Sequence, residues 1–104
     1  MLKIELRNPQ TGEKEIYTET FVSAKQLRKV IEFGMKVEKG ELNALEQLDE
    51  LVALVASLFR DERVTFDSIL EGIEADKIGD VLNQIITEVM GGEAKKKEME
   101  KKVK

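Results

Sequence analysis

A chain of 104 residues has room for one domain with one core, because a chain of this size buries only about two thirds of its unfolded surface. It contains neither Cys nor His, which excludes disulfides and thiolate metal sites and removes the usual proton shuttle, and with these most catalytic schemes. The net charge of −4 is unevenly placed: residues 1–92 carry 11 Lys and Arg against 18 Asp and Glu, while residues 93–104 carry 6 against 3, so an acidic body that phosphate backbones would repel is followed by a basic tail.

In chain order, Leu2 to Arg7 alternates as LKIELR, with Leu2, Ile4 and Leu6 on one face and Lys3, Glu5 and Arg7 on the other, the pattern of a half-buried strand. The NPQTGE that follows has turn chemistry in Asn8, Pro9 and Gly12. KEIYTETFV then alternates again, with Ile16, Thr18 and Thr20 on one side and Tyr17, Glu19 and Phe21 on the other. These segments predict an antiparallel hairpin over residues 2–21, one face of which must lie on helices, since two strands alone are marginal in water.

Ser23 with Gln26 forms a capping box, and Val22 is placed to staple onto Leu27, so a helix is predicted over 24–38. It presents Leu27, Val30, Ile31, Gly34 and Met35 along one stripe, with Phe33 and Val37 beside it. Lys36 and Lys39 suit its C-terminal dipole, and Gly40 suits its stop. Gly34 costs about 1 kcal/mol relative to alanine inside a helix. A close crossing with the next helix, or simple tolerance, would explain its presence.

Asn43 with Glu46 repeats the capping pattern and opens a helix over 43–60, ALEQLDELVALVASLF, around which the fold is predicted to be organised. Leu45, Leu48, Leu51, Val52, Val55 and Phe59 follow helical spacing, and Ala53, Leu54, Ala56 and Leu58 extend the apolar surface around the cylinder. Such a helix requires neighbours on most sides, and the short connection at Gly40 favours an antiparallel pair. Arg60 to Val64 is polar and predicts a loop. Thr65 caps a short helix over 66–71 with Phe66, Ile69, Leu70 and Ile73 at helical spacing, interrupted at Gly72. The last helix, over 75–90, carries Ile78, Val81, Leu82, Ile85, Ile86, Val89 and Met90 in an amphipathic stripe and ends at Gly91 and Gly92. The fold class is therefore α+β, mainly helical, one domain over 1–92. Residues 93–104 hold too few apolar residues to order themselves and are expected to be a disordered basic tail.

Candidate sites are few. Asp61, Glu62, Asp67, Glu71, Glu74 and Asp76 cluster in sequence but lack the acidic ladder and central glycine of a calcium loop, so a solvated face is the expectation and no metal is assigned. Thr65 to Val89 has the outline of a helix-turn-helix, yet Glu74, Asp76 and Asp80 would face the phosphates. Ser23, Ser57 and Ser68 have no His partner. No catalytic residue and no cofactor is assigned. Surplus apolar surface on the two last long helices, at Leu54, Leu58, Phe59, Ile86 and Met90, is the expected groove for a partner. No apolar run approaches the ~18 residues of a membrane span, and no secretory signal is visible, so the chain is expected to stay in the cytoplasm where it is made.

The order of these parts resembles the tail assembly chaperones of long-tailed bacteriophages. The likeness is carried by the F-V-S and L-R-x-x-I start of the first helix (Phe21 to Ile31), by E-L-V-x-x-V-x-x-L-F (Glu50 to Phe59), and by T-x-D-x-I-L-E-G-I (Thr65 to Ile73) followed by an amphipathic helix ending in M-G-G (Met90 to Gly92). The resemblance implies a non-enzymatic protein that binds the long helical tape measure protein, keeps it soluble, helps recruit tail tube subunits and is not part of the mature virion. It also implies self-association into rings or spirals, for which the unpaired edge of the hairpin is a candidate, and in many members a longer form made by a ribosomal frameshift near the position of Gly91 and Gly92. Two other classes stay open on the residues alone: a small acidic helical regulator or inhibitor of a host protein, and, against the charge of the body, a DNA-binding regulator.

Overall fold

The computed structural model describes residues 1–91, so the tail predicted for 93–104 lies outside them. Two strands, β1 (Leu2–Arg7) and β2 (Lys14–Glu19), precede four helices, α1 (Ala24–Glu38), α2 (Ala44–Leu58), α3 (Phe66–Gly72) and α4 (Ile78–Val89). The strands pair antiparallel with Ile4 opposite Tyr17 and Arg7 opposite Lys14. The turn between them is closed by Asn8, whose Oδ1 accepts from the Gln10 amide at 2.9 Å, while Gly12 supplies a φ of 76°. Leu2, Ile4, Leu6, Tyr17 and Glu19 form the buried face of the hairpin. This is the period-2 face read from LKIELR, and β1 lies against α3 and α4.

The helix starts follow the local signals. Capping boxes at Ser23 and Asn43 are both present, and a third, with Thr65 and Ser68 as partners, opens α3. Helix α1 ends in a Schellman arrangement: Gly40 adopts a φ of 70°, its amide donates to the Val37 carbonyl and the Glu41 amide to that of Lys36, each at 3.1 Å. Helix α4 begins at Ile78, three residues later than predicted. Ala75 to Lys77 form a turn instead, in which the Glu74 carbonyl accepts from the amides of Lys77 and Ile78.

Helix α2 packs against α1, α3 and α4. Val52, Val55 and Leu58 are fully enclosed, and Phe59 at the helix end joins them. At about 1.5–3 kcal/mol per buried side chain, these four contribute on the order of 10 kcal/mol before entropy is subtracted. The core continues through Leu2, Ile4 and Leu6 of β1, Val64, Ile69 of α3, and Leu82 and Ile85 of α4. Not every residue at helical spacing is taken up. Leu45, in the first turn of α2, and Leu70 of α3 are exposed, because no other element reaches far enough to cover them. Among the described residues no helix is long and apolar enough to cross a membrane.

Two glycines differ in what surrounds them. A Cβ on Gly34 would meet nothing within 4 Å, so no close crossing occurs there. Gly72 is the glycine that a close approach requires: a Cβ there would lie 3.0 Å from the Leu6 Cβ and 3.2 Å from the Arg7 amide nitrogen and carbonyl oxygen. It is the last residue of α3, set against the end of β1, and not an interruption within the helix.

Candidate functional site

The residues predicted to form a partner groove are divided by the structure. Leu58 is 0% exposed and Phe59 5%, so both belong to the core and leave no surface for a partner. Leu54, Ile86 and Met90 are half-buried, and Ile86 packs against the core. Leu58 and Phe59 share the core with Leu2, Ile4, Val64, Ile69 and Leu82, and the chain just beyond them is bonded to β2. Glu19, at the end of β2 and only 5% exposed, accepts hydrogen bonds from the Arg60 amide at 2.9 Å and from Arg60 Nη2 at 3.0 Å. Those bonds hold the carboxyl well below the usual range, at about 2. They also tie the chain just after α2 to the end of β2.

The loop after α2 is a clamp built from charges. Asp61 accepts from the Arg63 side chain at 2.8 Å, and the same contact lowers its carboxyl to about 2. Arg63 lies over the Tyr17 ring, 5.0 Å from its centre. The Tyr17 hydroxyl donates to Glu15 at 2.8 Å, and Asn8 donates to the other oxygen of that carboxylate at 3.1 Å. Glu15 is lowered by its hydrogen bonds from Asn8 and Tyr17, and Tyr17 is raised by its bond to Glu15. In sequence this loop shows only as polar; the one visible hint is that Glu19 falls on the inward face of its strand, two residues after Tyr17. Among the described residues no three carboxylates converge where a metal could be held.

Among the described residues the large apolar side chains left in solvent are spread over Met1, Ile16, Phe21, Leu45 and Leu70, with Ile31 and Met35 together on α1. This helix packs on α2, with a smaller contact to α4. Its inward face is centred on Val30, which is buried, with Phe33 and Val37 half-buried beside it. That face is rotated from the predicted stripe. Ile31 is 37% exposed and Met35 49%, Gly34 is exposed, and Leu27 is half-buried at the border. Residues 27, 31 and 35 are separated by four, so they stand in one row along the helix, over about 12 Å. Gln26 Nε2 donates to the Ser57 carbonyl at 3.1 Å and Lys36 pairs with Glu50 at 3.3 Å, which fixes α1 antiparallel to α2 and leaves this row on the flank away from it.

The hairpin has one covered edge and one open edge. Asn8 donates its amide to the Glu13 carbonyl at 2.7 Å, so the even-numbered residues of β1 make the ladder bonds, and the backbone groups of Lys3, Glu5 and Arg7 point outward. That edge faces α3 and α4 across a groove of about 490 Å³ whose lining alternates in charge, with Lys3, Glu5, Arg7, Lys77 and Glu88. The outer edge of β2 faces no other strand among the described residues, and Ile16 at its centre is 56% exposed.

This arrangement defines a class: a small α+β domain whose core is shared by the hairpin and the helices, with Ile31 and Met35 exposed on one helix. The sequence model of the phage tail chaperone protein family matches residues 1–104, the whole chain, and the protein belongs to that family. No curated protein and no solved structure matches it. The role of tail assembly chaperone follows from that membership.

Proposed function

We propose that the protein binds and solubilises the tape measure protein and helps recruit tail tube subunits during tail morphogenesis, acting in the host cytoplasm, without catalysis and without entering the finished virion. The observation that carries this reading is the family match over the full length of the chain. The structure supports it with exposed apolar side chains at helical spacing, Ile31 and Met35, which can cover the apolar stripe of another helix by side-by-side packing. The test is co-expression with the tape measure protein. The expected result is a shift of that protein from the pellet to the soluble fraction and its co-purification with this chain. An insoluble tape measure protein, with nothing co-purifying, would overturn the reading.

We further propose that self-association uses the outer edge of β2, where a second copy can add a strand. Thr18 lies opposite Lys3, in a pair whose backbone groups point away from the ladder, so Thr18→Pro removes an outward donor and keeps the hairpin bonds. The assembly mass by light scattering should fall to that of the monomer; an unchanged assembly mass would place the contact elsewhere.

A further inference from the structure

The edge of the hairpin that faces the helices is closed at one end only. Helices α3 and α4 both lie against β1, and Gly72 sits on the main chain of Arg7, where a Cβ would lie 3.2 Å from the amide nitrogen and the carbonyl oxygen. Beyond that point strand and helix part. The amides and carbonyls of Lys3 and Glu5 point away from β2, and among the described residues neither main chain nor side chain bonds them. They open into the groove of about 490 Å³, whose far wall is formed by Val81, Gln84, Ile85 and Glu88 of α4. Those four recur at three- and four-residue spacing, so they belong to one face of the helix. Four lysine or arginine and four glutamate side chains line the groove, and one pair of them, Lys77 with Glu74, is joined at 3.8 Å. Their charges cancel. The apolar part of the lining that keeps some exposure is Ile73 and Val81.

We propose that this groove binds an extended, uncharged segment of a partner chain, which adds to β1 as a third strand. An edge that offers an amide and a carbonyl at every second residue, about 7 Å apart, is matched in full only by another extended main chain. The lengths agree: the wall from Lys77 to Glu88 along α4 runs about 16 Å, and a strand of about five residues spans about 17 Å. Gly72 closes the Arg7 end, so the pairing is confined to Lys3 and Glu5. Side chains on one face of the segment meet Ile73 and Val81 and those on the other meet water, which selects alternating apolar and polar residues. Because the charges of the lining cancel, neither an acidic nor a basic segment is favoured. Strand β2 of a second copy fits poorly: its Tyr17 and Glu19 are buried in its own fold, which it brings with it, whereas α4 bounds the groove opposite β1. The proposal does not depend on which protein supplies the segment.

The experiment follows amide exchange by NMR in the full chain with two end-blocked peptides, Thr-Val-Thr-Val-Thr and, as a control whose central residue has no amide hydrogen, Thr-Val-Pro-Val-Thr. In the free chain the Lys3 and Glu5 amides should exchange at least about tenfold faster than those of Ile4 and Leu6, which bond β2. The first peptide should slow both and leave Ile16 and Thr18, on the outer edge of β2, unchanged; the proline peptide should bind at least about tenfold more weakly. Glu5→Pro removes an outward amide and keeps the ladder, and Gln84→Trp narrows the groove from the exposed face of α4 without touching a strand. Each should weaken the first peptide at least about tenfold. No slowing at Lys3 and Glu5 at millimolar peptide, equal slowing at Ile16 and Thr18, or equal binding of the two peptides overturns the proposal. So does full affinity in Gln84→Trp, which decides the matter even where Glu5→Pro fails to fold. Lys3 and Glu5 amides as slow as those of Ile4 and Leu6 in the free chain would show that the chain itself or a second copy fills the groove, and a fall in assembly mass on Glu5→Pro would identify the second copy; either result overturns the proposal. Co-purification of the tape measure protein bears on the chaperone reading alone, and protection of Lys3 and Glu5 on this proposal alone.

Discussion

Helices α1 and α2 are equal in length, 15 residues each, and both open with a complete capping box, yet they use their apolar side chains differently. Helix α2 encloses Val52, Val55 and Leu58, whereas α1 encloses only Val30 and leaves Ile31 and Met35 in water. The difference is one of position. Three other helices pack on α2, while α1 is met by α2 and, less extensively, by α4. Apolar residues at helical spacing measure what a helix is able to bury, and the neighbours it finds decide how much of that is buried within its own domain. The surplus on α1 is the part available to another chain.

The sharpest way to break this comparison is to place a charge in each helix. Val55→Asp buries an unpaired carboxylate at a site with no exposure, at a cost comparable to the ~5–15 kcal/mol that holds a typical domain together. Its expected outcome is loss of cooperative thermal melting by circular dichroism. Met35→Asp on the outer flank of α1 should melt within a few degrees of wild type. Similar melting curves for the two variants would show that the helices are not divided as described.

A smaller contrast comes from the two glycines. Gly72→Ala places a methyl group 3.0 Å from Leu6 and 3.2 Å from the backbone of Arg7, and should cost about 1–3 kcal/mol in urea unfolding. Gly34→Ala meets nothing and removes a helix-interior glycine, so it should stabilise by up to about 1 kcal/mol. Shifts of the same sign at the two positions would contradict the placement of α3 against β1.

The weakest expected effect concerns the clamp at the end of α2. Glu19 is held at about 2 in the folded chain, against roughly 4.3 for an ordinary glutamate. A depressed folded value contributes stability that is fully present above the unfolded value and lost as pH falls toward 2. Wild type should therefore lose stability between about pH 4.5 and 2. Glu19→Gln should be less stable at neutral pH, with a shallower acid slope. An unchanged slope would mean that Glu19 is not ionised in its contact with Arg60.

Much of this fold was legible in local signals. The alternation of Leu2, Ile4 and Leu6, the turn at Asn8 and Gly12, and the caps at Ser23, Asn43 and Thr65 each act within a few residues, so sequence alone contains them. The site was less legible. Leu58 and Phe59 belong to an apolar block that would serve equally as core or as groove, and the residues that share the core with them, from Leu2 in β1 to Ile85 in α4, lie far away in sequence. The same holds for α1, whose stripe of Leu27, Val30, Ile31, Gly34 and Met35 is wider than the arc its neighbours cover. Which edge of a stripe turns inward depends on where the other helices lie. The family resemblance, by contrast, was carried by the order and spacing of motifs between Phe21 and Gly92, and the family model matches residues 1–104.

Hydrogen exchange of the complex with co-expressed tape measure protein, compared with the protein alone, tests most directly whether α1 is the helix that meets the partner. The account predicts slowed exchange across residues 24–38 with little change across residues 44–58, whose amides are already protected by the core. Slowing confined to α2, α4 or the hairpin, with α1 exchanging as it does in the free protein, would contradict it.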